Sequence, residues 1–225
     1  MKITDNYIRQ LEDVIKQMIK PLKNIPFNLV IEALSGKKVI PFDFFDKDDK
    51  ALLELLKEVA ELAGKKINQN GIIRKRANEV GNDIEEFVKE ALNEKNLKAE
   101  TPISKKGHKK STGYPDILFW YKGKPYYLEC KTFNIQNIDT TQRSFYFSPS
   151  DDFKVIYDTH HFLLSYEMVV VGRKDDKNIF KTKHWKLLSI ENLSVDVKYE
   201  FNSDNRRLYS NKDGAKILAQ GDIEI

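Results

Sequence analysis

The sequence predicts an α/β fold: a mixed β-sheet flanked by helices, preceded by an N-terminal helical segment. Two observations carry that expectation. Apolar residues recur at helical spacing through residues 5–93, and strand-like apolar runs dominate from residue 98 onward. A further helix signal between strands indicates helices packed on a sheet rather than a separate bundle.

Residues 5–22 read as a helix, with Ile8, Leu11, Ile15, Met18 and Ile19 on one face and Pro21 near its end. Residues 48–64 read as a second, stopped by Gly64. Their apolar stripes need cover from the sheet or from a second copy of the chain. A third runs over 73–93, its buried stripe formed by Ile73, Ala77, Val80, Ile84, Phe87, Val88 and Ala91. Gly81 inside it costs about 1 kcal/mol relative to Ala, which suggests a close neighbour there. Strands are expected at 98–103, 115–121 and 124–132, then at 167–171, where a continuous apolar run implies burial on both faces. Ser148-Pro149-Ser150-Asp151 reads as the start of a helix carrying Phe153, Ile156, Tyr157, His160 and Leu164. Val195, Val197, Tyr199 and Phe201 alternate as in a half-exposed strand. There is no repeat and no linker, so 1–225 reads as one domain. It comprises a helical segment over 1–70, a core over 71–175 and a β-rich extension over 176–225.

Composition narrows the class. An apolar share of 40% with 32% charged residues describes a soluble globular chain, and the net charge of +4 permits a nucleic-acid partner without requiring one. The single cysteine, Cys130, cannot form an internal disulfide, which fits a reducing cytoplasm. No apolar run approaches the roughly 20 residues of a membrane span, and the N-terminus is not a signal peptide. A cytoplasmic protein with no membrane association is expected. Neither an HExxH nor a Cys/His zinc pattern is present, and no GxxxxGK[ST] loop supports ATP-driven work. His160 and His161, read on a helix, point about 100° apart and cannot share a metal.

The chemistry concentrates in Tyr114–Trp120 and Tyr126–Lys131. A two-residue turn at Lys122-Gly123 places Asp116 opposite Glu129, with Cβ atoms roughly 4.5–5.5 Å apart, and strand alternation keeps Lys131 on the same face. Two carboxylates and an amine then converge. Mg²⁺ is held by one or two carboxylates plus substrate oxygens and water, so Asp116, Glu129 and the backbone carbonyl of Cys130 are candidate ligands. Lys131 would hold the scissile phosphate or the attacking water by its point charge. On the residues alone, a solvated salt bridge between these groups stays open.

The spacing Pro115-Asp116, then Glu129-Cys130-Lys131, resembles the PD-(D/E)xK nuclease superfamily, to which most Type II restriction endonucleases belong. The resemblance implies a restriction-endonuclease-like sheet, with Asp116 and Glu129 as Mg²⁺ ligands and Lys131 positioning or activating water. The helix around Gly81, Ile84, Glu85, Val88 and Leu92 looks like the leading helix of that superfamily. By that likeness Glu85 is a candidate metal-site acid; otherwise it is a solvated charge like Glu86 and Glu90. The segment from Lys131 to Ser150, and the stretch with His160-His161, resembles the region after the catalytic strand in Type II restriction enzymes.

Asn134, Gln136, Asn137, Gln142 and Arg143 are side chains of the types that read base edges, and the basic loop with Lys105, Lys106, Lys109 and Lys110 suits phosphates. An ordinary polar surface is the plain alternative for both. The resemblance implies a Mg²⁺-dependent endonuclease that cuts double-stranded DNA at a short sequence as a homodimer, with a host DNA methyltransferase as companion. The alternatives are a structure-selective repair or recombination nuclease, a nuclease-fold module that binds DNA without cutting, or an interaction protein whose acids and lysine form a salt bridge.

Overall fold

The computed structural model describes residues 5–18, 20, 22–109, 113–137, 139 and 145–197. Lys110, Gln142 and Arg143, together with the expected strand positions Tyr199 and Phe201, lie outside the described residues. The chain divides into two compact units, residues 1–24 with 196–225 and residues 25–195. The first contains α1 (Asp5–Met18), shorter at its C-terminal end than the expected 5–22.

The second unit opens with β1 (Ile25–Pro26) and α2 (Phe27–Ser35), the latter closed by Gly36 at φ 70°. Helix α3 (Lys47–Asn70) is N-capped by Asp46, whose carboxylate accepts from the backbone N–H groups of Asp48 and Asp49. Gly64 does not stop this helix. It lies buried within it, where an added Cβ would stand at ordinary contact distance, 3.5 Å, from both Thr182 and Tyr166. The helix ends instead at Gly71, whose φ of 69° suits a residue without a Cβ.

Strand β2 (Ile72–Arg74) and a 3₁₀ turn at Ala77–Glu79 precede α4 (Gly81–Glu94). The helix expected over 73–93 therefore starts late. Ile72, Ile73 and Arg74 pair with Phe180, Ile179 and Asn178, and those ladder bonds override helical spacing. Gly81 is thus the first helical residue rather than an interior one.

Strands β3 (Lys98–Glu100), β4 (Ile117–Tyr121), β5 (Lys124–Phe133), β6 (His161–Lys174) and β7 (Lys177–Ser189) complete a six-stranded sheet of order β2-β7-β6-β5-β4-β3. Every neighbouring pair is antiparallel except β5 with β6. β1 pairs separately with β8 (Ser194–Val195). The β4–β5 hairpin has the expected register, Ile117 opposite Leu128 and Tyr121 opposite Lys124. Lys122 and Gly123 have φ of 49° and 75°, the positive values that a two-residue hairpin loop of type I′ demands.

The helix expected from Ser148 does not form. The Ser150 hydroxyl instead accepts from Asp152 N–H at 3.1 Å, a local turn, and the chain continues in turns and bends that bury Phe153 and Val155. His160 precedes β6 and His161 begins it, so alternation separates their side chains more fully than a helix would. His160 Nε2 lies 3.3 Å from Asp49, whereas His161 Nδ1 lies 2.5 Å from the Tyr114 hydroxyl. β6 is far longer than the expected 167–171. It is buried through Met168, but Val170 and Val171 are exposed, so burial on both faces fails at its far end. β7 falls within the extension expected to be β-rich, although no sequence pattern marks an individual strand at 177–189.

Two apolar clusters lie on opposite faces of the sheet. On one, Leu52 and Leu56 of α3 and Ile84 and Val88 of α4 meet Phe119, Leu128, Phe162 and Tyr166. On the other, Phe27 and Ile31 of α2 meet Tyr114, Leu118, Tyr127, Phe153 and Leu163. Each such side chain contributes roughly 1.5–3 kcal/mol when fully buried. Among the described residues, no helix is long and apolar enough to cross a membrane.

Candidate active site

Alternation along β5 turns Leu128 and Cys130 toward the α3–α4 face and Tyr127, Glu129 and Lys131 toward the other. Glu129 is buried, and Lys131 Nζ donates to its Oε1 at 2.5 Å. Its Oε2 is buried and, among the described residues, meets no hydrogen-bond donor. Asp116, immediately before β4, accepts a hydrogen bond from Cys130 N–H through Oδ2 at 2.9 Å. That bond ties the strand bearing Glu129 and Lys131 to the acid opposite. The expected convergence of Asp116, Glu129 and Lys131 is therefore present.

Electrostatics report the same crowding. Burial pushes the Glu129 carboxyl up to about 7, with Asp116 adding repulsion and Lys131 offsetting part of it. Glu85, half-buried on α4, is also raised to about 7, first by burial and then by Asp116, while Lys89, Lys131 and Lys154 pull it down. Glu85 thus belongs to this cluster rather than to the solvated face that holds Glu86. For Lys131, burial alone would favour the neutral amine, but the charge and hydrogen bond of Glu129, with Asp116 behind, outweigh it and raise its pKa. Lys131 is an ammonium at neutral pH.

Sequence reasoning missed the shell around these groups. Tyr127 donates its hydroxyl proton to the carbonyl of Lys154 at 3.3 Å and accepts from Ile156 N–H at 2.8 Å, pinning that segment beside β5. Lys154 is buried and acts electrostatically on Glu85. Only its place between the apolar Phe153 and Val155 could have signalled that burial. Burial drives His161 down to about 3, so the imidazole facing Tyr114 is neutral.

The proposed DNA-contacting residues divide. Lys105, Lys106 and Lys109 are exposed on a loop whose backbone is fastened by Lys105 N–H to Phe153 O at 3.1 Å and Lys106 N–H to Asp152 Oδ1 at 2.9 Å. The side chains remain free to meet phosphates, but the loop base is anchored rather than swinging. Asn134 is exposed just past β5, and its Oδ1 accepts from Gln136 N–H at 2.9 Å.

Among the described residues, no group of three or more His, Cys, Asp or Glu side chains is placed so that it could hold a metal ion by itself. The donor set nevertheless suits a hard cation. It offers several clustered carboxylates and a buried oxygen with no partner, and Mg²⁺ ordinarily completes its shell with water and substrate oxygens.

A family model described as Type II restriction enzyme MjaV family matches residues 21–212. The chain is also similar to the Type II restriction enzyme MjaV of Methanocaldococcus jannaschii, with 40% identity over 221 residues, 91% of this chain and 93% of that protein. No solved structure matches it.

Proposed function

The chain belongs to the Type II restriction enzyme MjaV family, and we propose that this site-specific deoxyribonuclease cuts double-stranded DNA with Mg²⁺ at Asp116, Glu129 and Lys131. The observation that carries the assignment is the buried, partnerless Oε2 of Glu129 beside Asp116, in a cluster whose carboxyls are pushed up toward neutrality. Such an arrangement is costly unless a cation completes it.

In this reading Asp116 and Glu129 hold the metal with side-chain oxygens, the Cys130 carbonyl adds a backbone oxygen, and Glu85 supplies a further carboxylate. When bound, Mg²⁺ lowers the pKa of its water and neutralises charge on the phosphate. Lys131, protonated at neutral pH, serves as an electrostatic clamp on the scissile phosphate and the approaching water rather than as a base. The hydrogen bond from Cys130 N–H holds Asp116 in register with Glu129, so the clamp and the acids keep their spacing through the reaction.

In the same reading the chain is a member of the PD-(D/E)xK superfamily, with residues 71–175 as its catalytic core. Lys105, Lys106, Lys109 and Lys110 would contact phosphates, and Asn134, Gln142 and Arg143 would contact base edges of a short recognition sequence. Two antiparallel strands must be cut, so the working form is a homodimer, with a DNA methyltransferase protecting the host's own sites. The test is digestion of plasmid and phage DNA with Mg²⁺, beside EDTA and Lys131→Ala controls. Discrete fragments lost in both controls support the reading, whereas fragments that persist with EDTA would refute the metal assignment.

A further inference from the structure

The two strands beyond the site outrun it. β5 ends at Phe133, level with Glu167 of its parallel neighbour β6. β6 continues from Met168 to Lys174 and returns as β7 from Lys177, so this hairpin projects roughly 20 Å past the end of β5. Because β5 and β6 are parallel, the projection extends the β6–β7–β2 side of the sheet at the end toward which β5 carries Glu129 and then Lys131. One register row links the site to the hairpin's base: Lys131 pairs with Ser165, and Ser165 with Lys186, whose Nζ sits 5.3 Å from the Phe133 ring centroid.

The projecting part is basic and exposed. Arg173, Lys174, Lys177 and Lys183 are exposed and Lys181 is partly so, against Asp175 and Asp176 at the tip. Among the described residues, none of these five cations is engaged by a carboxylate. Arg173 Nε donates to Asn178 across the hairpin at 3.3 Å, and Asn178 Nδ2 to the Lys75 carbonyl at 3.2 Å, so the ribbon is braced. Val170 and Val171 are each 54% exposed beside a register break between Val170 and Gly172, which leaves an apolar surface next to the cations.

We infer that the β6–β7 hairpin is a DNA-binding arm, whose Arg173, Lys174, Lys177 and Lys181 grip phosphates flanking the cut. Exposed cations without carboxylate partners among the described residues, on a hairpin braced along β7 by β2, suit a polyanion. This rests on the nuclease reading above and adds an element that neither the amide-rich segment nor the lysine loop contains.

The test uses the full chain in EDTA with a 40-base-pair fluorescent duplex, its affinity measured across salt concentrations. A variant combining Arg173→Gln, Lys174→Gln and Lys177→Gln should melt like the wild type and lower the slope of log affinity against log salt by about 2 to 3, near 0.9 per lost phosphate contact. Lys177→Ala alone should lower it by about 0.9. A control, Lys50→Gln with Lys57→Gln on α3, should leave the slope unchanged. An unaltered slope in the triple variant, or an equal fall in the control, overturns the arm while plasmid cleavage by the wild type keeps the nuclease reading intact. Wild-type protein that neither binds the duplex nor cuts plasmid overturns both.

Discussion

Asp116 accepts a hydrogen bond from the backbone N–H of Cys130 at 2.9 Å, so the acid before one strand is positioned by the strand that carries its partners. The amide needs only an acceptor, whereas the chemistry needs a charge. Asp116→Asn should keep the bond and the fold yet reduce plasmid cleavage at least about 100-fold, on the scale of losing an electrostatic catalytic group. A melting midpoint near wild type with full activity would show that the charge is dispensable.

Lys131→Met should sharply reduce cleavage while sparing affinity for DNA measured without metal, because in the proposed reaction its charge is aimed at the reacting phosphate. The expected loss is roughly 10²–10³-fold in turnover. A variant that loses binding and turnover in parallel would place Lys131 in general DNA attraction instead.

The raised carboxyls fix the direction of pH dependence in the metal-free protein. Glu85 and Glu129 sit at about 7 when folded against an ordinary 4.5. Between those values the folded state binds more protons than the unfolded one. Their contribution is complete below about 4.5 and is lost as pH rises through 7. His161, lowered to about 3, works in the opposite sense and withdraws stability as pH falls below 6.5. The double variant Glu85→Gln/Glu129→Gln should therefore gain on wild type, in EDTA, as pH climbs from 4.5 to 7. A constant difference in melting temperature over that range would refute the assignment.

Tyr127→Phe removes a hydroxyl that serves two backbone groups, the Lys154 carbonyl and the Ile156 N–H. Both sit in a partly or fully buried setting, so denaturant unfolding should show a loss of about 1–3 kcal/mol. Cleavage should fall as well, because Lys154 is held beside Glu85 by this anchor. Unchanged stability would mean that water replaces the hydroxyl.

Two glycines with positive φ should respond unequally to alanine. At Gly71 an added Cβ would meet Ile179 Cγ2 at 2.7 Å, whereas at Gly123 nothing lies within 4 Å. Gly123→Ala should cost about 1 kcal/mol of backbone strain, and Gly71→Ala that amount plus the displacement of β7, about 2–4 kcal/mol in all. Equal losses by chemical denaturation would contradict this.

What the sequence made legible was local. The Lys122-Gly123 turn specifies its own register, so Asp116, Glu129 and Lys131 could be brought together from spacing alone. Nonlocal pairing was opaque. Ile73 continues a helical stripe in sequence, yet β2 pairs with a strand some hundred residues onward, and no pattern near Ile73 announces it. Ser148-Pro149 carries a cap signal without tertiary support, and Phe153 and Val155 are buried from an irregular segment instead. Strand β7 was hidden because lysines punctuate it. Lys154 escaped notice because burial of a lone lysine depends on neighbours that the local sequence does not reveal.

The parallel pairing of β5 with β6 also sets an order of events during synthesis. Strand β5 gains its second neighbour only after residues 161–167 leave the ribosome, and the sheet's far edge closes only when 178–180 reach β2. Such long-separation contacts form late. A nascent or truncated chain therefore carries Asp116, Glu129 and Lys131 without the frame that aligns them until residues 178–180 are available to pair with β2.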